Sequence, residues 1–161
     1  MSKVLERVRD WLRSSGVAFV EKHHEPTFTS EESAKARGES LRIGAKALVV
    51  KVDDAFRLLV LPADRKLDSA AVKRHFAAKK LRFADAAELL TLTGLVPGSV
   101  PPFGPPILDL LLFADVALLE NEKIAFNAGS LTDSIIMAAA DYQRVAGAEW
   151  SSLSVEPPRD A

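Results

Sequence analysis

The sequence predicts a single α+β domain built around a mixed, curved β-sheet. A chain of 161 residues is long enough for one domain with its own core. Apolar runs at residues 45–52 and 56–61 are separated mainly by the turn residues Asp53 and Asp54, which predicts an antiparallel hairpin. Helical patterns lie between the strand patterns without the regular alternation of a doubly wound parallel sheet, and this order favours the α+β class.

The composition excludes several classes of protein. The net charge is −1, so the chain is not a strongly basic nucleic-acid binder of the histone kind. This net charge does not exclude a local basic face. It contains no cysteine, which excludes disulfides, thiolate catalysis and zinc sites with cysteine ligands. The N-terminal residues do not follow a signal-peptide pattern, and the apolar runs are too short to span a bilayer. We therefore expect a cytoplasmic protein that makes no membrane contact.

The first elements are a helix and a short strand. Ser2 is placed to cap a helix with apolar residues on one face, and Gly16 ends it. Residues 17–20 alternate as a strand that leads to His23 and His24. Because adjacent strand residues point to opposite faces, we do not expect this histidine pair to bind a metal.

A second helix is predicted over residues 30–37. Thr29 stands at its N-cap position and Glu32 follows three residues later, which is the sequence pattern of a capping box. In the hairpin that follows, Lys46 and Lys51 are an odd number of residues apart, so they face opposite sides of the sheet. One of them should face solvent. The other faces a cleft or the core, unless Lys46, near the strand end, simply extends its amine to water.

A basic segment follows the hairpin. Asp68 is predicted to cap a helix that runs to about residue 77, and residues 81–83 are predicted to form a short strand. Asp85 then caps another helix, which ends at Gly94. Basic clusters of this kind are usually solvated faces, but this one is also the best candidate for contacts with a nucleic-acid backbone. Its candidate phosphate-binding residues are Lys73, Lys79, Lys80 and Arg82.

The loop at residues 94–104 is the most unusual segment of the chain. It contains three glycines and three prolines, so it continues neither a helix nor a central strand. Its apolar residues indicate that it is rigid and partly buried. Its backbone N–H groups are candidates to receive an anion or a developing oxyanion, and the alternative is a purely structural crossover.

Three strands are predicted after this loop. Residues 107–113 and 116–119 are apolar enough for buried strands, and a third strand is predicted at residues 124–126. A second unusual loop, with the sequence Asn-Ala-Gly-Ser, occupies residues 127–130.

A final helix and a tail complete the prediction. Thr132 or Asp133 is placed to cap a helix that runs through residues 135–140. Residues 1–150 are then the folded domain, and residues 151–161 are expected to form a loosely ordered C-terminal tail.

The glycine- and proline-rich loop and two earlier segments carry a family resemblance. The loop contains Gly98 and Pro102 in a Gly-x-x-x-Pro arrangement. Residues 26–32 (Pro-Thr-Phe-Thr-Ser-Glu-Glu) and 44–48 (Gly-Ala-Lys-Ala-Leu) are supporting matches. With these motifs, residues 24–142 resemble the YbaK/EbsC family of editing domains, which is associated with bacterial prolyl-tRNA synthetase and removes wrong amino acids from tRNA.

The resemblance implies a barrel-like mixed sheet flanked by helices and the hydrolysis of misacylated tRNA without a metal or cofactor. The substrate is expected to be the acceptor end of an aminoacyl-tRNA, foremost tRNA(Pro) carrying Ala, Ser, Thr or Cys, and prolyl-tRNA synthetase is a further candidate partner. Lys46 and Gly98 are the implied catalytic residues. Lys46 is expected to pair with the phosphate or ribose of the terminal nucleotide, while backbone N–H groups around Gly98 hold the carbonyl or the water. A substrate hydroxyl, more than a protein base, is implied to help activate the water.

The candidate pocket departs from the family pattern. Ala47 stands where the Ala-specific freestanding members have an Asn after the lysine, and Asn127-Ala128 stands where they have a His-Pro pair. These departures leave open a non-catalytic tRNA- or synthetase-binding module of the same fold, or a small-molecule binding domain. Each pocket candidate also has a plain role in core packing, capping or loop hydrogen bonding. The candidate substrate-binding residues are Phe28, Thr29, Ser99, Pro102, Phe103, Asn127, Gly129 (which resembles the glycine of the Cys-specific branch), Ser130 and Asp133.

Overall fold

The structure, a computed structural model, describes residues 3–156. Five α-helices form within that range: α1 (Lys3–Ser14), α2 (Ser30–Arg37), α3 (Ser69–Phe76), α4 (Ala86–Thr93) and α5 (Ala139–Val145). None of the helices in the described part of the chain is long and apolar enough to cross a bilayer.

Ten strands are interspersed with these helices in residues 3–156. They are β1 (Phe19–His23), β2 (Ala45–Val52), β3 (Ala55–Pro62), β4 (Lys66–Leu67), β5 (Leu81–Phe83), β6 (Leu112–Asp115), β7 (Lys123–Asn127), β8 (Asp133–Ala138), β9 (Glu149–Ser151) and β10 (Ser154–Val155). The strand orders of the three sheets are β5-β2-β3-β6-β9, β1-β8-β7 and β10-β4. The largest sheet is mixed, because β2 pairs antiparallel with β3 and β5 while β6 pairs parallel with β3 and β9. The predicted α+β class is confirmed, although the strands form three sheets and not one closed barrel.

The two larger sheets meet just before the start of β2. Gly44 forms an isolated parallel bridge with Ala125 of β7. A Cβ atom on Gly44 would lie 2.8 Å from the Cβ of Ala63, closer than such atoms approach in proteins, so a glycine permits this contact. The bridge brings the start of β2 beside the end of β7, and the candidate site lies at this junction.

The core anchors the glycine- and proline-rich loop. The Phe103 side chain, only 1% exposed, lies 5.5 Å from both the Phe126 and the Tyr142 ring, centroid to centroid, in edge-to-face contacts. The Tyr142 hydroxyl donates to the Pro102 carbonyl at 2.6 Å. The loop is therefore held by aromatic packing on one side and a buried hydrogen bond beside it.

The predicted helix boundaries are largely confirmed. Thr29, Asp68 and Asp85 each accept a backbone N–H at the start of α2, α3 and α4. Gly94 ends α4 with a φ of 74°, in the left-handed region that favours glycine. Helix α1 begins at Lys3, and its predicted cap, Ser2, lies outside the described residues.

Two predicted strands and the final helix are corrected by the structure. Residues 107–111 form a turn and a bend, so the strand covers only β6. Residues 116–120 form a 3₁₀ helix that begins where Asp115 accepts the Ala117 N–H at 2.8 Å. The predicted helix at residues 135–140 is wrong, because residues 133–138 form β8, the central strand between β1 and β7. Helix formation starts only at Ala139. Tertiary pairing has overridden the local capping signal at this point.

The expected loose tail is ordered over its first residues. Ser151 ends β9, and β10 pairs with β4. Leu153 is fully buried, and its carbonyl accepts the Asp68 N–H at 2.8 Å. The ordered domain therefore continues past residue 150. Residues 157–161 of the predicted tail lie outside the described range.

Candidate functional site

A cavity of about 340 Å³ lies where the two larger sheets meet. It is enclosed by the segment around α2, the first half of β2, the end of β7 and the glycine- and proline-rich loop. Much of the wall is made of alanines, and among the described residues that line it none is acidic or a histidine. The lining residues are Phe28, Thr29, Ser30, Ser33, Ala34, Arg37, Leu41, Gly44, Ala45, Lys46, Ala47, Leu48, Ala63, Gly98, Val100, Ala125 and Asn127.

Lys46 extends into this cavity from the beginning of β2. It is half-buried, and its Nζ atom donates a long hydrogen bond of 3.4 Å to the Arg65 carbonyl, with no other acceptor in residues 3–156. Burial lowers the pKa of Lys46, while the carboxylates of Glu31 and Asp64 act in the opposite direction. The sequence left open a cleft, the core or solvent for the Lys46 side chain, and the structure places it in a cleft.

The start of α2 forms the opposite wall. Thr29 caps the helix by accepting the Glu32 N–H at 3.1 Å. The reciprocal half of the predicted capping box is displaced by one residue, because the Glu32 carboxylate lies 3.5 Å from the Phe28 N–H. Phe28 itself is 70% exposed although it lines the cavity, which places a large aromatic ring at its rim.

The third wall is the loop segment at Gly98. Gly98 has a φ of 88°, and its carbonyl accepts a hydrogen bond of 2.7 Å from Asn127 Nδ2. Within residues 3–156, the backbone N–H groups of Gly98 and Val100 have no hydrogen-bond acceptor. The loop therefore has free donors next to the cavity, which is the chemistry that a carbonyl oxygen or an oxyanion requires.

A buried arginine that the sequence analysis did not identify completes the site. Arg37, the last residue of α2, is 5% exposed. Its Nε atom donates to Ser134 Oγ and its Nη2 atom to Asn127 Oδ1, both at 2.9 Å. Burial lowers the pKa of Arg37 to about 10, against the opposing charge of Glu39, so the side chain remains a cation at neutral pH. A basic residue in the last turn of a helix is usually exposed, and nothing in the local sequence marks this one as buried.

Several predicted loop residues lie outside the cavity. Ser99 is buried, and its hydroxyl donates to the Val96 carbonyl at 2.8 Å. Pro102 and Phe103 belong to the core contacts described above, so their contribution to the site is to hold the loop.

The predicted site residues in and after the loop at residues 127–130 also lie in different places. Asn127 lines the cavity, whereas Gly129 and Ser130 line a second, more open cavity of about 510 Å³ beside α1. Asp133 lines neither of these two cavities. Its carboxylate bonds to His23 at 3.0 Å and to Ser130 at 2.8 Å, and although burial acts to raise the pKa of Asp133, these hydrogen bonds leave it lowered.

The basic cluster lies at the other end of β2. Arg82 in β5 pairs with Lys51, five residues along the strand from Lys46, and its guanidinium makes a two-pronged contact with Glu88 at 2.7 and 2.8 Å. The structure therefore does not bring Lys73, Lys79, Lys80 and Arg82 together with the cavity. Within residues 3–156, no three His, Asp or Glu side chains are grouped as a metal site.

Comparison with known proteins identifies related sequences over most of the chain. The model of the aminoacyl-tRNA editing domain family matches residues 24–145. The chain is 38% identical over 150 residues to the Escherichia coli (strain K12) Multifunctional Ser/Thr-tRNA deacylase ProXp-y, and the match covers 89% of each protein. It is also 35% identical over 100 residues to the proline–tRNA ligase of Shouchella clausii (strain KSM-K16), covering 62% of this chain and 17% of that enzyme.

Solved structures share the fold. A crystal structure described as a proposed trans-editing enzyme for prolyl tRNA synthetase superimposes with a TM-score of 0.79 at 26% sequence identity, over 96% of this chain and 99% of the other.

Proposed function

Because this chain belongs to the aminoacyl-tRNA editing domain family, we propose that it is a trans-editing deacylase that hydrolyses the ester of misacylated tRNA. The observation that carries the proposal is the cavity that combines Lys46, the Gly98 loop and a rim aromatic. In the reaction, the oxygen of a water molecule bonds to the ester carbonyl carbon and the bond to the ribose oxygen breaks. The free amino acid and the tRNA with a free terminal hydroxyl are released.

The Gly98 loop is proposed to stabilise the charge that develops on the carbonyl oxygen. The N–H groups of Gly98 and Val100 are available donors beside the cavity, and one well-placed donor is worth about 3 kcal/mol of transition-state stabilisation. The bond from Asn127 to the Gly98 carbonyl holds this segment in place. Preorganised donors of this kind need no rearrangement when the tetrahedral intermediate forms.

Lys46 is proposed to bind the phosphate or ribose of the terminal nucleotide. It is a compact cation whose one hydrogen bond to the described residues is long, so its charge is available to a ligand. Among the described lining residues there is no histidine or carboxylate that could serve as a general base. This supports water activation by a hydroxyl of the substrate.

The size and polarity of the cavity favour a small amino acid. Its alanine-rich wall is interrupted by the polar side chains of Thr29, Ser33 and Asn127, which suit a hydroxylated side chain. This agrees with the Ser/Thr specificity in the name of the Escherichia coli relative. We propose Ser and Thr as the first candidates, with Ala and Cys next, foremost on tRNA(Pro), with prolyl-tRNA synthetase as a candidate partner.

A deacylation panel tests the proposal. Purified protein is incubated with tRNA(Pro) charged with Ser, Thr, Ala, Cys or Pro, and separately with Ser and Thr on their own cognate tRNAs. Release of the amino acid is followed over time. We expect one or two mischarged species to be hydrolysed while Pro-tRNA(Pro) is spared, and Lys46→Ala to lose this activity. Binding of tRNA without hydrolysis of any species would instead establish the non-catalytic module.

A further inference from the structure

Arg37 is a buried cation that forms no ion pair with a carboxylate of residues 3–156. Its guanidinium lines the cavity, where Lys46 is the other charged residue and no acidic residue is present among the described lining residues. The acid that follows it most closely in sequence, Glu39, is occupied by Lys123 at 2.8 Å. A guanidinium buried among neutral groups is costly for the folded protein unless something compensates its charge.

The neutral partners of Arg37 orient it towards the junction of the sheets. Ser134 and Asn127 accept from Nε and Nη2, while Nη1 has no hydrogen-bond acceptor among residues 3–156. A Cβ atom on Gly44 would lie 3.9 Å from this Nη1. The unbonded end of the guanidinium therefore lies beside the start of β2, the strand that carries Lys46. The guanidinium is thus fixed on one side and open on the other.

We propose that Arg37 is a substrate-binding residue that, together with Lys46, binds the phosphate of the terminal nucleotide. The inference rests on the proposed function and adds a second cation to its anion site. An arginine fork forms directional hydrogen bonds to phosphate oxygens, whereas a lysine acts as a point charge, so the two residues supply different parts of one receptor.

Asn127 connects this anion site to the catalytic loop. Its Oδ1 atom accepts from Arg37, and its Nδ2 atom donates to the Gly98 carbonyl. The same side chain therefore holds both the proposed phosphate-binding residue and the segment that faces the ester. A phosphate bound at Arg37 would fix the distance between the terminal nucleotide and the Gly98 donors.

The test compares binding of adenosine 5′-monophosphate with binding of adenosine by calorimetry. Charge-assisted hydrogen bonds predict that the wild-type protein binds the monophosphate about tenfold to hundredfold more tightly. Arg37→Gln should reduce this ratio by about tenfold. Arg144→Gln is the control, because it also removes a cation, and Arg144 donates to the Ser15 carbonyl at 3.4 Å and does not line the cavity. It should keep the wild-type ratio.

A wild-type ratio in Arg37→Gln would overturn the inference. If that variant does not fold, Lys46→Met isolates the contribution of Arg37, because Arg37 is then the remaining charge among the described lining residues. A ratio clearly above one in Lys46→Met supports the inference, and a ratio of one overturns it. A wild-type protein that shows the phosphate preference but hydrolyses no aminoacyl-tRNA refutes the proposed function and leaves the anion site standing.

Discussion

Replacing Gly98 by alanine tests the proposed catalytic role of the loop separately from its effect on stability. A Cβ atom at Gly98 would meet Leu131 Cδ2 at 3.5 Å and the Phe28 carbonyl at 4.0 Å, which are ordinary contacts. The cost therefore comes from the backbone, because a φ of 88° is unfavourable for any residue with a side chain. We expect a loss of about 1–2 kcal/mol in the free energy of unfolding.

The chain offers a matched control in Gly94. Its φ of 74° imposes a comparable backbone penalty, and a Cβ atom there would meet nothing within 4 Å. It lies at the end of α4 and does not line the cavity that contains Lys46 and Gly98. Both alanine variants should therefore unfold at lower temperature by about 2–8 °C, the shift expected for this loss in a domain of this size.

Activity should distinguish the two variants. Relaxation of the strained backbone in Gly98→Ala displaces the loop donors, and we expect kcat/KM for deacylation to fall by about a hundredfold, as for a misplacement of about 1 Å. Gly94→Ala should retain wild-type kcat/KM at a temperature where both proteins are folded. Equal activity in the two variants, with equal loss of melting temperature, would refute the assignment of the Gly98 loop to catalysis.

Three further predictions follow from the same structure. Lys46→Met should lower deacylation at least about a hundredfold. The denaturant midpoint should not fall, because burial lowers the pKa of Lys46 and its charged form therefore destabilises the folded protein below that pKa. A less stable variant would contradict this reasoning. Leu153→Ala should lower the free energy of unfolding by about 2–5 kcal/mol in urea melts, since Leu153 is fully buried, and an unchanged midpoint would show that the segment is dispensable. If Lys79 and Lys80 contact the tRNA backbone, replacing both by Gln should reduce the slope of log affinity for tRNA against log salt concentration by about 1–2. Binding of adenosine 5′-monophosphate should stay unchanged. An identical slope for tRNA would show that these two lysines do not contact it.

The sequence predicted those features that depend on short-range chemistry. The caps at Thr29, Asp68 and Asp85 and the hairpin of β2 and β3 follow from neighbouring residues, and the structure confirms them. The helix predicted at residues 135–140 is wrong because these residues belong to β8, which pairs with β1 from the beginning of the chain as well as with the neighbouring β7. The pairing with β1 joins residues that are far apart in sequence. No local pattern reports such a pairing.

The candidate site could be predicted only in part for a related reason. Lys46, Gly98 and Asn127 were identified from motifs, and the structure brings them to one cavity. Arg37 was missed because its burial depends on Ser134 and Asn127, about ninety residues further along the chain. Conversely, Phe103 and Ser99 share a motif with Gly98 but do not line its cavity: Phe103 packs in the core, and the buried Ser99 bonds within the loop. The loop has more than one side, and the sequence does not distinguish them.

The alanines of the cavity wall have a consequence for how such a pocket changes its preference. Ala45 and Ala47 line the cavity from β2, which pairs with β3 along its whole length from Ala45 to Val52. A larger side chain at Ala47 would take volume from the cavity while leaving the strand that carries Lys46 in place. If the cavity binds the amino acid as proposed, single substitutions at such positions would change the selectivity between amino acids that differ by one methyl or hydroxyl group, while the proposed contacts of Lys46 with the nucleotide stay unchanged.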